Sequence, residues 1–217
     1  MATSAAISEI RGSGVVVDDL TDITVIYEPG VDVTVWRRPA LPFAATFIGV
    51  DLDGDVLDAR VRTRNVEDAV AEATSRLTTR AGRDSFIADV AFLAEIYRDL
   101  TGYDELGIRL TTSNAPMCPR FHVDRVTLRL LCTYLGPGTE WLSHADVDRS
   151  KLGPGANGQP DCNSGLIRPG AAIRRMNAFD VGLLKGSAWQ GCEKRGAVHR
   201  SPGTSGKRLV LSIDGVT

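Results

Sequence analysis

The chain has 217 residues, long enough to bury a sizeable core in one domain and too short to argue for two without a break in composition. Its 25 basic and 27 acidic residues give a formal charge of -2, with the basic residues scattered, which excludes nucleic acid as the expected partner. No apolar stretch approaches membrane-spanning length and the first twenty residues lack a signal-type apolar core, so the expectation is a cytoplasmic protein with no membrane partner.

In chain order, residues 23–36, ITVIYEPGVDVTVW, hold two β-branched runs around Glu28-Pro29-Gly30, a turn sequence that predicts a hairpin. The tract DLDGD, Asp51 to Asp55, lacks the Gly and Glu that a calcium loop needs at its sixth and twelfth positions and reads as a polar turn. After Asn65, a candidate N-cap with Asp68 three positions on, Val66, Ala69, Val70, Ala73 and Leu77 recur at helical spacing. A second helix is predicted from the stripe of Phe86, Val90, Leu93, Ile96, Tyr97 and Leu100, with Gly102 as its stop and a sheet as its packing partner.

From about residue 105 the pattern changes to short strands: LGIRLTT, VTLRLLCTYL, VGLLKG, GAVH and KRLVLSID. Helices followed by a run of strands argue for an α+β fold. Between the strands, residues 152–170 (LGPGANGQPDCNSGLIRPG) are too polar for a core and predict a long loop of the lid or binding type. The four cysteines make no CxxC pair and no disulfide framework. Cys132, in an apolar run, is expected to be buried, and Cys162 and Cys192, in Gly-rich surroundings, to be exposed; Cys118 carries no assignment.

Chemistry concentrates in FHVD and VHRSP. His122 and Asp124 are two residues apart, so on extended chain both side chains leave the same face. With His199 they offer two imidazoles and a carboxylate, a set that suits a divalent metal and leaves positions on the ion open for substrate and oxygen.

The stretch HRSPGTSGKRLVLSID, with Arg208 nine positions after His199, resembles the end of the 2-oxoglutarate-dependent oxygenase barrel. The runs CPRFHVDRVTLRLLCTYLGPGTEWL, LLKGSAW and VHRSP, followed by RLVLSID, resemble the bacterial family catalogued as domain of unknown function 1826. These resemblances imply a double-stranded β-helix of the jelly-roll, cupin-like type with N-terminal helices packed outside. The expected division is one domain over 1–217, with a hairpin and supporting helices in 1–104 and the metal-binding barrel in 105–217. The activity implied is that of an iron(II) dioxygenase using 2-oxoglutarate on a small-molecule substrate, with His122, Asp124 and His199 as the metal and catalytic residues. Arg208 would pair with the distal carboxylate of 2-oxoglutarate, a task for which a planar guanidinium is suited, with Arg200 as a competing partner and Tyr134 as a hydroxyl donor to the same cosubstrate. The superfamily often carries Arg-x-Ser here; in this chain Val210 takes the serine's place, and Ser212 lies one pleat further along the same face.

Further candidates remain, the first four with two readings each. Arg120 and Arg129 flank the motif and either recognise an anionic substrate or pair with nearby acids. Glu140 and Trp141, after the Gly-Pro-Gly turn, line the substrate entrance or serve the turn itself; Trp189 and His144 are candidates for the pocket rim. Two other functions remain open: a zinc-holding cupin-like protein without redox chemistry, and a metal-free barrel in which both histidines are structural. Neither an exposed apolar stripe nor a heptad repeat marks an oligomer interface.

Overall fold

The computed structural model describes residues 8–10, 12–41, 55–75, 82–203 and 206–216. Of the acidic tract only Asp55 falls among them, and Leu77 of the first helical stripe lies outside. The elements in chain order are β1 (Ser8–Ile10), β2 (Gly14–Val17), a 3-10 helix (Leu20–Tyr27), β3 (Val33–Trp36), β4 (Asp55–Arg62), α1 (Val66–Ala73) and α2 (Arg83–Thr101). There follow β5 (Glu105–Ser113), β6 (Leu128–Leu135), β7 (Glu140–Leu142), β8 (Arg174–Arg175), β9 (Val181–Lys185), β10 (Val198–Arg200) and β11 (Arg208–Gly215). Eight strands form a main sheet in the order β1-β2-β3-β9-β6-β11-β5-β4, and three form a small sheet, β10-β7-β8. All the pairings are antiparallel except β2 with β3.

Alternation along β6 sorts the two faces of the main sheet. Leu128, Leu130, Cys132 and Tyr134 join the large core that α2 covers, where Phe86, Val90, Leu93 and Tyr97 are fully buried. Each such side chain contributes roughly 1.5–3 kcal/mol by leaving water. The Tyr97 hydroxyl donates to the Leu128 carbonyl at 2.8 Å, which ties helix to strand. At the helix end Gly102 takes φ 76° and its N–H donates to the Arg98 carbonyl, so the stop predicted there is a left-handed cap. On the opposite face, Leu131, Val33, Val35 and Val210 form a second cluster with Trp141 and Met176 from the side of the small sheet. Trp141 lies so close over β2 that a Cβ on Gly14 would sit 2.1 Å from its ring. The order of layers is therefore helix, main sheet, small sheet.

Several expectations are corrected. The predicted hairpin over 23–36 has no first strand: β3 already has β2 on one edge and β9 on the other, so no edge is left for it. Residues 20–27 instead form a 3-10 helix, started by Asp19 accepting from the Thr21 N–H and burying Ile23 and Ile26, three apart as that helix requires. The α+β class holds and the expected jelly-roll barrel is seen only as two sheets: β1 and β4 end the main sheet and do not pair with each other among the described residues, so no closed barrel forms there. Strands of both halves share that sheet, β3 pairing with β9 and β4 with β5. Asn65 makes no side-chain cap. Cys192 is buried rather than exposed; Cys132 is buried and Cys118 and Cys162 are exposed. The 152–170 segment is not a free lid, since Leu166 and Ala156 within it are buried. Among the described residues no helix is long and apolar enough to cross a membrane.

Candidate metal centre

Three short backbone features assemble the cluster. In β10, His199 faces Trp141 of β7 on one side. On the other it forms a bridge with His122, each N–H donating to the other's carbonyl at 3.0 Å. The two imidazoles are thus held opposite each other, with ring centroids 4.5 Å apart. The segment carrying Asp124 is pinned by Ser187, whose N–H donates to the Asp124 carbonyl at 2.8 Å. A Cβ at Gly186 would fall 1.9 Å from the Val126 carbonyl oxygen, which explains the glycine of LLKG.

The donor atoms converge. His122 Nε2 lies 3.4 Å from Asp124 Oδ1 and His199 Nε2 lies 3.2 Å from Asp124 Oδ2. One ligand atom from each of the three residues falls within 4.8 Å of the others. The Nδ1 atoms face away: that of His122 meets the Arg120 carbonyl at 2.9 Å and that of His199 the Ala197 carbonyl at 3.1 Å. A carbonyl can only accept, so each Nδ1 carries a proton, and an ion that displaces any proton bonded to the carboxylate would meet both Nε2 lone pairs in the space beside it. Two lone pairs and a carboxylate aimed at one point fit a borderline divalent ion, and the residues present pass that test.

The charges agree. Burial works to raise the Asp124 carboxyl, but the bonds with His122 and His199 and the Arg129 charge outweigh it and hold it well below the usual range. Arg129 Nη1 donates to Asp124 Oδ2 at 2.8 Å and Nη2 bonds Asp214, so the carboxylate is oriented from the strand next to it. The Asp124 carboxylate in turn raises the pKa of His122.

Beside the cluster lies a cavity of about 130 Å³, walled by His122, His199, Leu131, Val210, Arg129 and Arg208. That is smaller than the roughly 300 Å³ at which ordinary ligand pockets begin, and suits a small acid. Arg208 is 3 % exposed, its Nε donates to the Pro137 carbonyl at 2.8 Å, and no carboxylate bonds it among the described residues. Burial lowers the pKa of this guanidinium, and the charge of Glu140 opposes that. Gly136 makes the arrangement possible: at φ 79° it turns the chain over Arg208, where a Cβ would meet the Lys207 carbonyl at 2.5 Å.

The other residues singled out in the sequence fall into three groups. Arg129 and Arg200 reach the cavity, and both are already paired: Arg200 donates to Glu140 Oε2 at 2.8 Å and stacks on Phe121. Arg120 points to a neighbouring depression and bonds Asp161 and the Gln159 carbonyl. Tyr134, Glu140, Trp141, Trp189 and His144 do not line the cavity. Tyr134 lies on the opposite face of the main sheet, with its hydroxyl 2.7 Å from Asp89. Glu140 is buried between Arg175 and Arg200, Trp141 is core, Trp189 packs on Tyr27 and Lys185, and His144 accepts from Arg149. Thr111, Thr139 and Cys118 also line the cavity, and no pattern in the sequence marks them.

Fold and cluster together define a two-sheet protein with a candidate His-Asp-His metal centre facing a cationic cavity. A family model described as "Protein of unknown function (DUF1826)" matches residues 17–214, and the chain belongs to that family. No curated protein matches it. Similar solved structures include a full-length Neurospora crassa protein in complex with alpha-KG, at TM-score 0.48 and 13 % identity over 99 % of this chain and 88 % of that one. Another is HygX from Streptomyces hygroscopicus with nickel and 2-oxoglutarate bound, at TM-score 0.45 and 13 % identity over 86 % and 83 %. A third is dioxygenase for auxin oxidation 1 from Arabidopsis thaliana with 2-oxoglutarate, at TM-score 0.45 and 10 % identity over 81 % and 73 %.

Proposed function

We propose that this chain is an iron(II)-dependent oxygenase that uses 2-oxoglutarate and dioxygen to oxidise a small-molecule substrate. The observation that carries the reading is Arg208: a buried guanidinium that no carboxylate bonds among the described residues, in the same cavity as the converging His122 and His199. A buried charge left unpaired is costly, so a site that keeps one is built for an anion that arrives from outside. Iron, which His122, Asp124 and His199 would hold, would supply the chemistry of oxidative decarboxylation, in which dioxygen oxidises 2-oxoglutarate to succinate and carbon dioxide.

The chain's own residues do the rest. Arg208 anchors the distal carboxylate through its free guanidinium N–H groups, which fixes how far the keto acid end reaches. Leu131 and Val210 form the apolar wall between anchor and metal, and keep water away from that stretch. Arg129 holds the Asp124 carboxylate in one orientation, and the Arg120 and Ala197 carbonyls hold the two imidazoles in one tautomer. Val210 in the serine's place removes one hydroxyl from the anchor and leaves Thr111 and Thr139 on the same cavity wall.

Metal analysis after anaerobic purification, followed by titration with 2-oxoglutarate, tests the reading. The result expected is iron at one per chain and saturable 2-oxoglutarate binding that requires the metal. Stoichiometric zinc with no 2-oxoglutarate binding would replace it with a zinc-holding role, which the same three donors also fit.

A further inference from the structure

We infer that Asp161, in the Gly- and Pro-rich 152–170 segment, is the positioning residue for His122 and acts through the peptide between Arg120 and Phe121. The inference rests on His122, Asp124 and His199 being metal ligands. A metal-bound histidine keeps its ring in place through a hydrogen bond from the other ring nitrogen, and here both histidines use the carbonyl two residues before them. The two carbonyls are not equally secure. The one serving His199 belongs to Ala197, whose N–H donates to the Lys185 carbonyl at 2.7 Å and whose peptide leads directly into β10, paired with β7 at Val198 and Leu142.

The carbonyl serving His122 has less support, since only the single bridge at His122 itself follows it. Arg120 and Phe121 lie outside every strand, so no ladder fixes the plane of the peptide between them. Its N–H end does have one partner: Phe121 N–H donates to Asp161 Oδ2 at 2.8 Å. The N–H and C=O of one peptide are coplanar and point in opposite directions, so fixing the first aims the second. The chain of bonds therefore runs from the Asp161 carboxylate through the peptide to His122 Nδ1. Because its first member is ionised, it polarises the peptide and makes the Arg120 carbonyl a stronger acceptor.

Asp161 is well placed for this task. Its side chain is 6 % exposed and lies between Arg120 Nε and Arg200 Nη1, each at 3.4 Å, so its charge is compensated by arginines that flank the two histidines in sequence. Turns with positive φ at Asn157, Gly158 and Gly165 fold the segment so that this one acid points inward. The polar segment between the strands thus serves as a brace on the metal side of the fold.

Anaerobic titration with cobalt(II), reading both the dissociation constant and the visible ligand-field spectrum, tests this. Asp161→Ala is expected to weaken cobalt binding about tenfold, the low end of the effect of losing a partner behind a metal-bound histidine because the Arg120 carbonyl itself remains, and to change the spectrum. Asp161→Asn keeps an oxygen for the Phe121 N–H but not the charge, and is expected to fall in between, at least roughly threefold weaker than native. Asp148→Ala, which removes a local cap on Ser150 near the same segment, is expected to leave binding unchanged. A residue that serves only stability would lower the melting temperature and leave cobalt affinity at low temperature untouched. Native affinity and spectrum in Asp161→Ala overturn the inference while the metal site stands; should that variant not fold, native behaviour in Asp161→Asn overturns it equally. A native protein that binds no cobalt removes the metal site and the inference together.

Discussion

Replacing Arg208 with methionine separates what the guanidinium does for binding from what it does for folding. The variant loses the Nε bond to Pro137, and a stranded, partly buried carbonyl costs at most about 1–3 kcal/mol. It also removes an unpaired buried cation, whose desolvation costs several kcal/mol, while methionine still fills the space along Leu131 and Val210. The two effects oppose each other, so the free variant is expected to melt within a few degrees of native, or above it. Cosubstrate binding has no such offset. Two charge-assisted bonds to a carboxylate at about 1.5–3 kcal/mol each predict a loss of at least 3 kcal/mol, on the order of 100-fold or more in affinity. Thermal melts of the manganese-loaded, oxygen-free protein read both quantities. At a hundred times its dissociation constant, 2-oxoglutarate stabilises native protein by about 2.7 kcal/mol, a shift of roughly 5–10 °C for a chain of this size. In Arg208→Met the same concentration should give a shift of about 1 °C or less. A variant that melts far below native yet keeps the full shift would show that Arg208 is structural and that the anion is bound elsewhere.

Tyr134→Phe should destabilise the fold by about 1.5–3 kcal/mol through loss of the bond to the Asp89 carboxylate, and leave 2-oxoglutarate affinity at the native value; chemical denaturation and calorimetric titration check the two halves, and lost affinity in a stable variant would return Tyr134 to the site. Gly186→Ala forces the segment carrying Asp124 away from β9, so metal affinity should fall along with about 1–3 kcal/mol of stability; unchanged metal binding would show that the close approach to the Val126 carbonyl does not position Asp124. In native protein at pH 8, iodoacetamide should modify Cys118 and Cys162 and spare Cys132, whose thiol burial pushes up to about 12, and Cys192, raised by burial too. Raising the pH to 10 should still not reach Cys132, and peptide mass spectrometry that found Cys132 alkylated as fast as Cys118 would contradict its burial.

Legibility in the sequence followed the range of the interaction. The stripe of α2 is set by burial that repeats every few residues, and the strands β5, β6, β9 and β11 by short apolar runs between turn residues, so local pattern places them closely. The candidate cluster was legible from spacing, since all three histidines fall in the strand-rich half and His122 and His199 lie in its most strand-like stretches, although the chain around Asp124 is irregular rather than a strand. The side of the sheet that Tyr134 occupies was also readable: it alternates in step with Leu128, Leu130 and Cys132, and Arg129 and Leu131 point the other way. Long-range pairings were not. Nothing in VTVW says that both its edges are taken, by β2 and β9, and that constraint is what turned the preceding β-branched run into a 3-10 helix. Asp161 was hidden for a similar reason: an acid among Gly, Pro and Asn reads as solvated loop, and only its bond to a peptide 40 residues away makes it part of the site.

The central claim is tested most directly by succinate formation under dioxygen. Iron-reconstituted protein supplied with 2-oxoglutarate and ascorbate should produce succinate at a rate that disappears with iron removal and in His122→Ala, and that drops with the loss of cosubstrate affinity in Arg208→Met. Succinate formed equally by native protein and His122→Ala, or none formed by native protein carrying one iron and bound 2-oxoglutarate, would contradict it.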